Sequence, residues 1–298
     1  MTIKPTLTIG VVAYNESANI GKLLLSLKKQ IISSAHLLRI VVISDASIDG
    51  TDEIVNTIGD IQLIRHRERQ GANAGQNDLM TNTETDILVI LDADILPNND
   101  LLIENLIAPI VANSHIGLTS GMLIPAKPRT FVEKVLARTH IFKIEFFSKL
   151  PNKNNIYLCV GPIRAFSKGL YSSYIYPDQV PYDAYSYLKC LQNGYQFEYV
   201  PHAQAIFRCP ATLSDHEKQG ARFAAGRQQL IEEFKQDAVI AYRLPQMRIV
   251  ASIVPEVVRH PILSLFAAYF LILFFSRMLF QQQKFTSKWE MATSSKNI

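Results

Sequence analysis

Two aspartates one residue apart, Asp92 and Asp94, close an apolar run in DILVILDADILP, residues 86–97. Carboxylates this close repel one another unless a cation lies between them. Oxygen ligands suit Mg2+ or Mn2+, which take a few carboxylates and complete their shells with phosphate oxygens and water. The pair therefore implies a metal-bridged diphosphate, although a lone D-x-D is also compatible with an acidic turn after a strand. A third carboxylate, Asp183, opens PYDAYSYLKCLQNG, where it is either a helix cap or a group able to take a proton from a hydroxyl.

The elements that must position these acids follow from hydrophobic patterning. Ile87 to Leu91 are five consecutive apolar residues, which predicts a strand buried on both faces of a parallel sheet, with ligands at its carboxyl end. Leu7 to Ala13 and Ile40 to Ile43 read as two further buried strands, and Gln62 to Arg65 as a short one. Between them, Ile20, Leu23, Leu24, Leu27 and Ile31 recur at helical spacing, with Ser17 as candidate cap. Polar turns with Gly50 and with Gly71 and Gly75 open two more helices. Strands alternating with helices imply a Rossmann-like, right-handed parallel sheet. Asp45 follows the second strand and is placed to accept a hydrogen bond from a base N–H, with Asn15 and Glu16 flanking the same base. Each of the three is equally a residue type that caps loops. Neither G-x-x-x-x-G-K-[ST] nor G-x-G-x-x-G occurs, which disfavours a P-loop kinase and a dinucleotide oxidoreductase.

The 298 residues carry a formal charge of +4 without a dense basic run, so no nucleic-acid partner is expected. Cys159, Cys190 and Cys209 have no metal-ligand spacing and are read as small core residues in a reducing compartment. The segment MTIKPTLTIG lacks a signal-peptide hydrophobic region, which puts the first domain in the cytoplasm. Hydrophobic residues reach 48%, leaving apolar surface to meet lipid.

YNESANI, VVISDASIDGT, RQGANAGQN and the aspartate pair, in this order, resemble the nucleotide-sugar motifs of glycosyltransferase family 2. The resemblance implies a GT-A fold: a mixed, mainly parallel sheet flanked by helices. It implies that Asn15, Glu16 and Asp45 lie around the uracil of a UDP-sugar, that Gly71 and Asn77 belong to the loop over the nucleotide, and that Asp92 and Asp94 hold ribose and the metal-diphosphate. YLCVGPIRAFS resembles the segment lining the donor-sugar pocket, with Gly161 allowing close approach. Asp183 falls at the position of the family's catalytic base, although Tyr182 stands where an acidic residue usually precedes it. Two further departures are Ser44 beside Asp45 in place of a second acid, and Ala72 in place of a basic residue. Gln219, Arg222 and Phe223 resemble the Q-x-x-R-W signature of hyaluronan, chitin and cellulose synthases and their bacterial relatives. There Arg222 would assist diphosphate departure and Phe223 would stack an acceptor sugar.

Toward the C-terminus the composition shifts. Phe131 to Leu150 predicts a basic amphipathic helix, packed on the sheet or lying on a membrane. Pro245 to His260 aligns Val250, Ile253, Val254 and Val257 on one stripe, expected in an interface, and Ile262 to Phe280 is a nineteen-residue apolar run of about 28 Å at helical rise, close to a membrane's thickness. The reading is thus a catalytic domain over 1–237 and a membrane-associating segment with a polar tail over 238–298, at the cytoplasmic side of the cell membrane. The expected activity is inverting transfer from a UDP-sugar to a hydroxyl of a lipid-linked or polysaccharide acceptor. Alternatives are the catalytic subunit of a processive synthase that needs a membrane partner subunit as its channel, a polyprenyl-phosphate sugar synthase, a sugar nucleotidyltransferase and a non-catalytic nucleotide-sugar-binding protein.

Overall fold

The computed structural model describes residues 4–178, 180–278 and 298, and for 221–224 and 274–278 the backbone only. The chain runs β1 (Thr6–Ala13), α1 (Ile20–Lys28), β2 (His36–Ser44), α2 (Thr51–Thr57), β3 (Ile61–Arg65), α3 (Ala72–Thr81), β4 (Ile87–Asp92), β5 (Ile95–Pro97), α4 (Leu102–Ala112), β6 (Ile116–Pro125) and α5 (Phe131–Ser148). It continues with β7 (Ile163–Ser167), α6 (Lys168–Tyr171), α7 (Tyr182–Gln192), β8 (Gln196–Phe207), α8 (Leu213–Phe234), α9 (Gln236–Ala241), α10 (Gln246–Arg259) and α11 (Pro261–Met278). The strand order is β3-β2-β1-β4-β7-β6-β8-β5. The first four strands are parallel, β7 is antiparallel to both neighbours, β6 and β8 are parallel, and β5 is antiparallel to β8. The sheet is therefore mixed, with its parallel half built by the N-terminal βα units as expected.

Period-two patterning explains the layers. In β4, Ile87, Val89 and Leu91 enter a core with α1, α2 and α4, while Leu88 and Ile90 enter a second core with α3, α6, α7 and α8. Both faces are covered, as the unbroken apolar run requires. A third cluster joins Val135, Leu136 and Ala137 of α5 to Cys209 and to Phe270 of α11. All three cysteines are free and buried, consistent with core residues.

Several details depart from expectation. The helix after β1 ends at Lys28, so Ile31 lies beyond it and is 58% exposed. Its N-cap residue is Asn19; Ser17 instead donates its backbone N–H to Asp49. In α7, Tyr187 and Leu188 are buried, whereas Leu191, one residue from the helix end, is exposed. The helix α9 spans residue 237, and its Ala238 is fully buried in the second core. Among the described residues no helix is long and apolar enough to cross a membrane, so the expected membrane-embedded segment over 262–280 finds no support among them. In α11, Leu263, Ala267 and Phe270 pack on α5 and Phe131 meets Phe266 edge to face, so one face of that helix belongs to the protein. Residues 279 and 280 and the polar tail to 297 lie outside the described residues.

Candidate active site

The strand β4 ends at Asp92, and after Ala93 and Asp94 the chain has already joined β5 on the other half of the sheet. The two aspartates thus occupy the crossing itself. Ala93 between them is buried and anchors the turn, while Asp92 and Asp94 are partly exposed. The backbone N–H of Asp92 donates to the carbonyl of Pro162 at 3.1 Å, which brings the Gly161–Pro162 turn against the acid pair. Among the described residues no group of three or more His, Cys, Asp or Glu surrounds a single point. A donor set of two carboxylates fits a cation that draws its remaining ligands from diphosphate and water, the habit of Mg2+ and similar ions.

Asp183 is the second residue of α7, and Tyr182 immediately before it extends to the end of β4, its hydroxyl donating to Asp92 Oδ2 at 2.8 Å. One side chain therefore spans from the acid pair to the start of the helix that carries Asp183. The Tyr182 ring lies against Gly161, where any Cβ would come within 2.5 Å of a ring carbon, Cε2. The group that approaches Gly161 in the protein itself is this tyrosine. Asp183 Oδ1 accepts from its neighbour's N–H, Ala184 N, at 2.8 Å, and the side chain is partly exposed. A wall of Phe147 stacked on Tyr157 at 4.3 Å, and of Tyr242 edge-on to Tyr157, stands on this side of α7. Burial, with the Asp183 charge as a secondary cause, pushes the Tyr242 hydroxyl well above its ordinary range.

Asp45 is a different kind of site. It is buried, and its carboxylate accepts from Gln70 N at 2.7 Å and Gly71 N at 2.8 Å while facing His66 Nδ1 at 2.8 Å. His66 Nε2 meets Asp78 at 2.6 Å. Burial works against a charged imidazole, but the two carboxylates outweigh it and raise the His66 pKa above 6.5. Gly71 has φ 102°, a conformation that favours glycine, and turns the loop into α3. Asn77 spends its amide on Tyr176, accepting from its N–H at 2.7 Å and donating to its carbonyl at 2.9 Å. Asn15 sits in the left-handed region at φ 52°, where asparagine is tolerated, and accepts from Ile48 N at 2.9 Å. Glu16 is buried and accepts from the Asn19 side chain. These residues knit together the loops after β1, β2 and β3, over which Arg69 lies 4.1 Å from the centre of the Tyr14 ring.

The structure thus brings Asp92, Asp94, Gly161 and the start of α7 to one edge, with Asn15, Glu16, Asp45 and Gly71 clustered around the neighbouring loops. Gln219 is partly exposed on α8; the side chains of Arg222 and Phe223 lie outside the described residues. Sequence reasoning missed His66, Arg164 and the reach of Tyr182. Of these, only Tyr182 carried a signal, as an aromatic next to a candidate base.

The chain belongs to glycosyl transferase family 2, whose model matches residues 8–175, more than half of its length. Comparison with curated proteins gives no match. Among solved structures, it is similar to the mannosyltransferase PcManGT from Pyrobaculum calidifontis in complex with GDP-Man and Mn2+, at 20% identity and TM-score 0.65, covering 95% of this chain and 89% of that one. It is also similar to glucosyl-3-phosphoglycerate synthase from Mycobacterium tuberculosis with Mn2+, UDP and phosphoglyceric acid, at 16% identity and TM-score 0.56, covering 76% and 78%. The same synthase with Mg2+ and UDP matches at 16% and 0.55, covering 76% and 79%. At these identities the likeness establishes a shared fold.

Proposed function

We propose that this family 2 glycosyltransferase is an inverting enzyme that moves a sugar from a UDP-sugar, with Mg2+ or Mn2+, to a hydroxyl of a lipid-linked or polysaccharide acceptor at a membrane. The observation that carries the reading is the hydrogen bond from Tyr182 to Asp92, which joins the acid pair to the helix bearing Asp183. In this reading Asp94 and Asp92 hold the cation and the ribose. When bound, the cation would stabilise the negative charge of the leaving diphosphate. Asp183 takes the proton of the acceptor hydroxyl as it attacks the anomeric carbon. Asn15, Glu16, Asp45, Gly71 and Asn77 act by shaping the nucleotide loops, and Gln219, Arg222 and Phe223 serve the diphosphate and the acceptor. All three similar structures hold a metal with a nucleotide or nucleotide sugar, which supports the donor class, and the test below compares uridine with guanosine directly.

The membrane reading rests on α10. None of its residues is buried, and Met247, Val250, Val254 and Val258 are 83%, 61%, 59% and 76% exposed. Such a stripe suits a helix lying in the headgroup region, at the cytoplasmic face of the cell membrane. Its position is braced by Glu256, which receives a two-pronged contact from Arg138 of α5. The test is to incubate the protein and bacterial membranes with a panel of UDP- and GDP-sugars plus Mn2+ or Mg2+. Metal-dependent release of UDP from one sugar, with the label entering the lipid or polysaccharide fraction, is expected. No nucleotide release from any donor would refute the reading.

A further inference from the structure

We propose that Tyr182 is a positioning residue, a strut that sets the acid pair against the base-bearing helix, with buried Arg164 as its footing. The proposal rests on the functional reading above and deepens it.

Tyr182 is held at three points. Its hydroxyl donates to Asp92 Oδ2 at 2.8 Å. Its ring fills the space over Gly161. Its backbone carbonyl accepts from Arg164 Nη1 at 3.1 Å and from Ser186 Oγ at 2.6 Å. Arg164 is fully buried on β7, and the Tyr182 ring centre lies 4.8 Å from its guanidinium carbon. The remaining guanidinium contacts go to Gly161 O at 3.1 Å, Tyr176 OH at 3.1 Å, Ser186 Oγ at 2.7 Å and Gln76 Oε1 at 2.6 Å.

Among the described residues no carboxylate lies within ion-pair distance of Arg164. A cation buried on neutral acceptors alone is costly. Here it sits beneath a phenol whose oxygen faces a carboxylate, so cation, ring, hydroxyl and Asp92 follow one another in sequence. The positive charge favours the electron-rich ring face and strengthens the phenol as a donor to Asp92. The consequence is an Asp92 carboxylate fixed in one orientation, with Oδ2 turned to the tyrosine, at a set distance from the first turn of α7. Hydrogen-bonding partners that orient a metal-ligating carboxylate tune affinity at the ligand itself, and reacting groups displaced by about 1 Å cost on the order of 100-fold in rate.

The experiment uses Tyr182→Phe, which keeps the ring on Gly161 and Arg164 and removes only the hydroxyl. Two readouts are made on the full chain: Mn2+ titrated in the presence of UDP or GDP, followed by electron paramagnetic resonance, and kcat and KM with the donor that the panel identifies. The half-saturating Mn2+ concentration is expected to change by about 10-fold. The kcat should fall by roughly 10- to 100-fold with the donor KM within about twofold. In an Asp92→Asn background the same substitution should add little, because its hydrogen-bond acceptor has been altered. Unchanged Mn2+ titration and kcat in Tyr182→Phe overturn the strut, as does a loss that is the same with and without Asp92→Asn. A wild type that releases no nucleotide defeats the functional reading, whereas an active wild type matched by Tyr182→Phe defeats only this one.

Discussion

Asp45 and Asp92 stand on either side of β1, one just past the end of β2 and the other at the end of β4, and the protein uses them in opposite ways. The strand register aligns Ala13 with Ser44 and Val12 with Asp92, so the two acids lie within about two rows of one another on the same sheet edge. Asp45 is enclosed by its own neighbourhood: two backbone N–H groups and a histidine converge on it within 26 residues of sequence. Asp92 is partly exposed, and the side chain that reaches it comes from 90 residues away. Position at a strand end alone does not decide how an acid is held: local donors enclose Asp45, while a side chain from a distant helix reaches Asp92.

Substitutions should separate the two. The largest effect is expected on the open side. Asp94→Asn should reduce sugar transfer by about 100- to 1000-fold while changing stability by no more than about 1 kcal/mol, as is common at partly exposed positions. Steady-state rates and a thermal melt on the same sample check both halves, and an equal loss of stability would erase the contrast. On the closed side the order reverses. Asp45→Ala leaves buried N–H groups of Gln70 and Gly71 without their acceptor and should cost about 1–3 kcal/mol of stability, read by urea denaturation, with the donor KM raised more than kcat is lowered.

A smaller, pH-dependent effect sharpens the same contrast. His66 faces Asp45 and Asp78, and its raised pKa means that the folded state holds the imidazolium more tightly than the unfolded chain does. That stabilisation is complete below pH 6.5 and is lost as the pH rises through the raised folded value. Thermal stability should therefore decline over that window in the wild type and stay flatter in His66→Gln. The smallest effect on the fold is expected from Val254→Ser with Val258→Ser on α10. The melt should hardly move, because neither side chain is buried, while binding to anionic vesicles in a flotation assay should drop. Vesicle binding equal to that of the wild type would detach α10 from the membrane reading.

The parallel half of the fold was legible because its signals are local. Five apolar residues in succession at Ile87 to Leu91 can be satisfied only by burial on both faces, and Gly50 and Gly71 mark the turns that feed helices. The positions of Asp92, Asp94 and Asp183 at element ends were readable for the same reason. What escaped depends on tertiary contact. Nothing in the spacing of His66 and Asp45 predicts a hydrogen bond, nor does the gap between Tyr182 and Asp92. Arg164 reads as an ordinary strand residue until the layers close over it. Ile31 was misjudged because helical period was carried past the point where the helix stops. The apolar run after Pro261 matched a membrane segment in length and composition, and only the packing of Leu263, Ala267 and Phe270 on α5 gives one of its faces to the protein.

The account turns on proton removal by Asp183 opposite the acid pair. Its most direct test is transfer to acceptor by Asp183→Asn, measured beside donor binding and thermal stability. A fall in transfer of about 100- to 10,000-fold with donor affinity and melting temperature unchanged is the expected result. Full transfer by the same variant would contradict it, because the acceptor would then need no base.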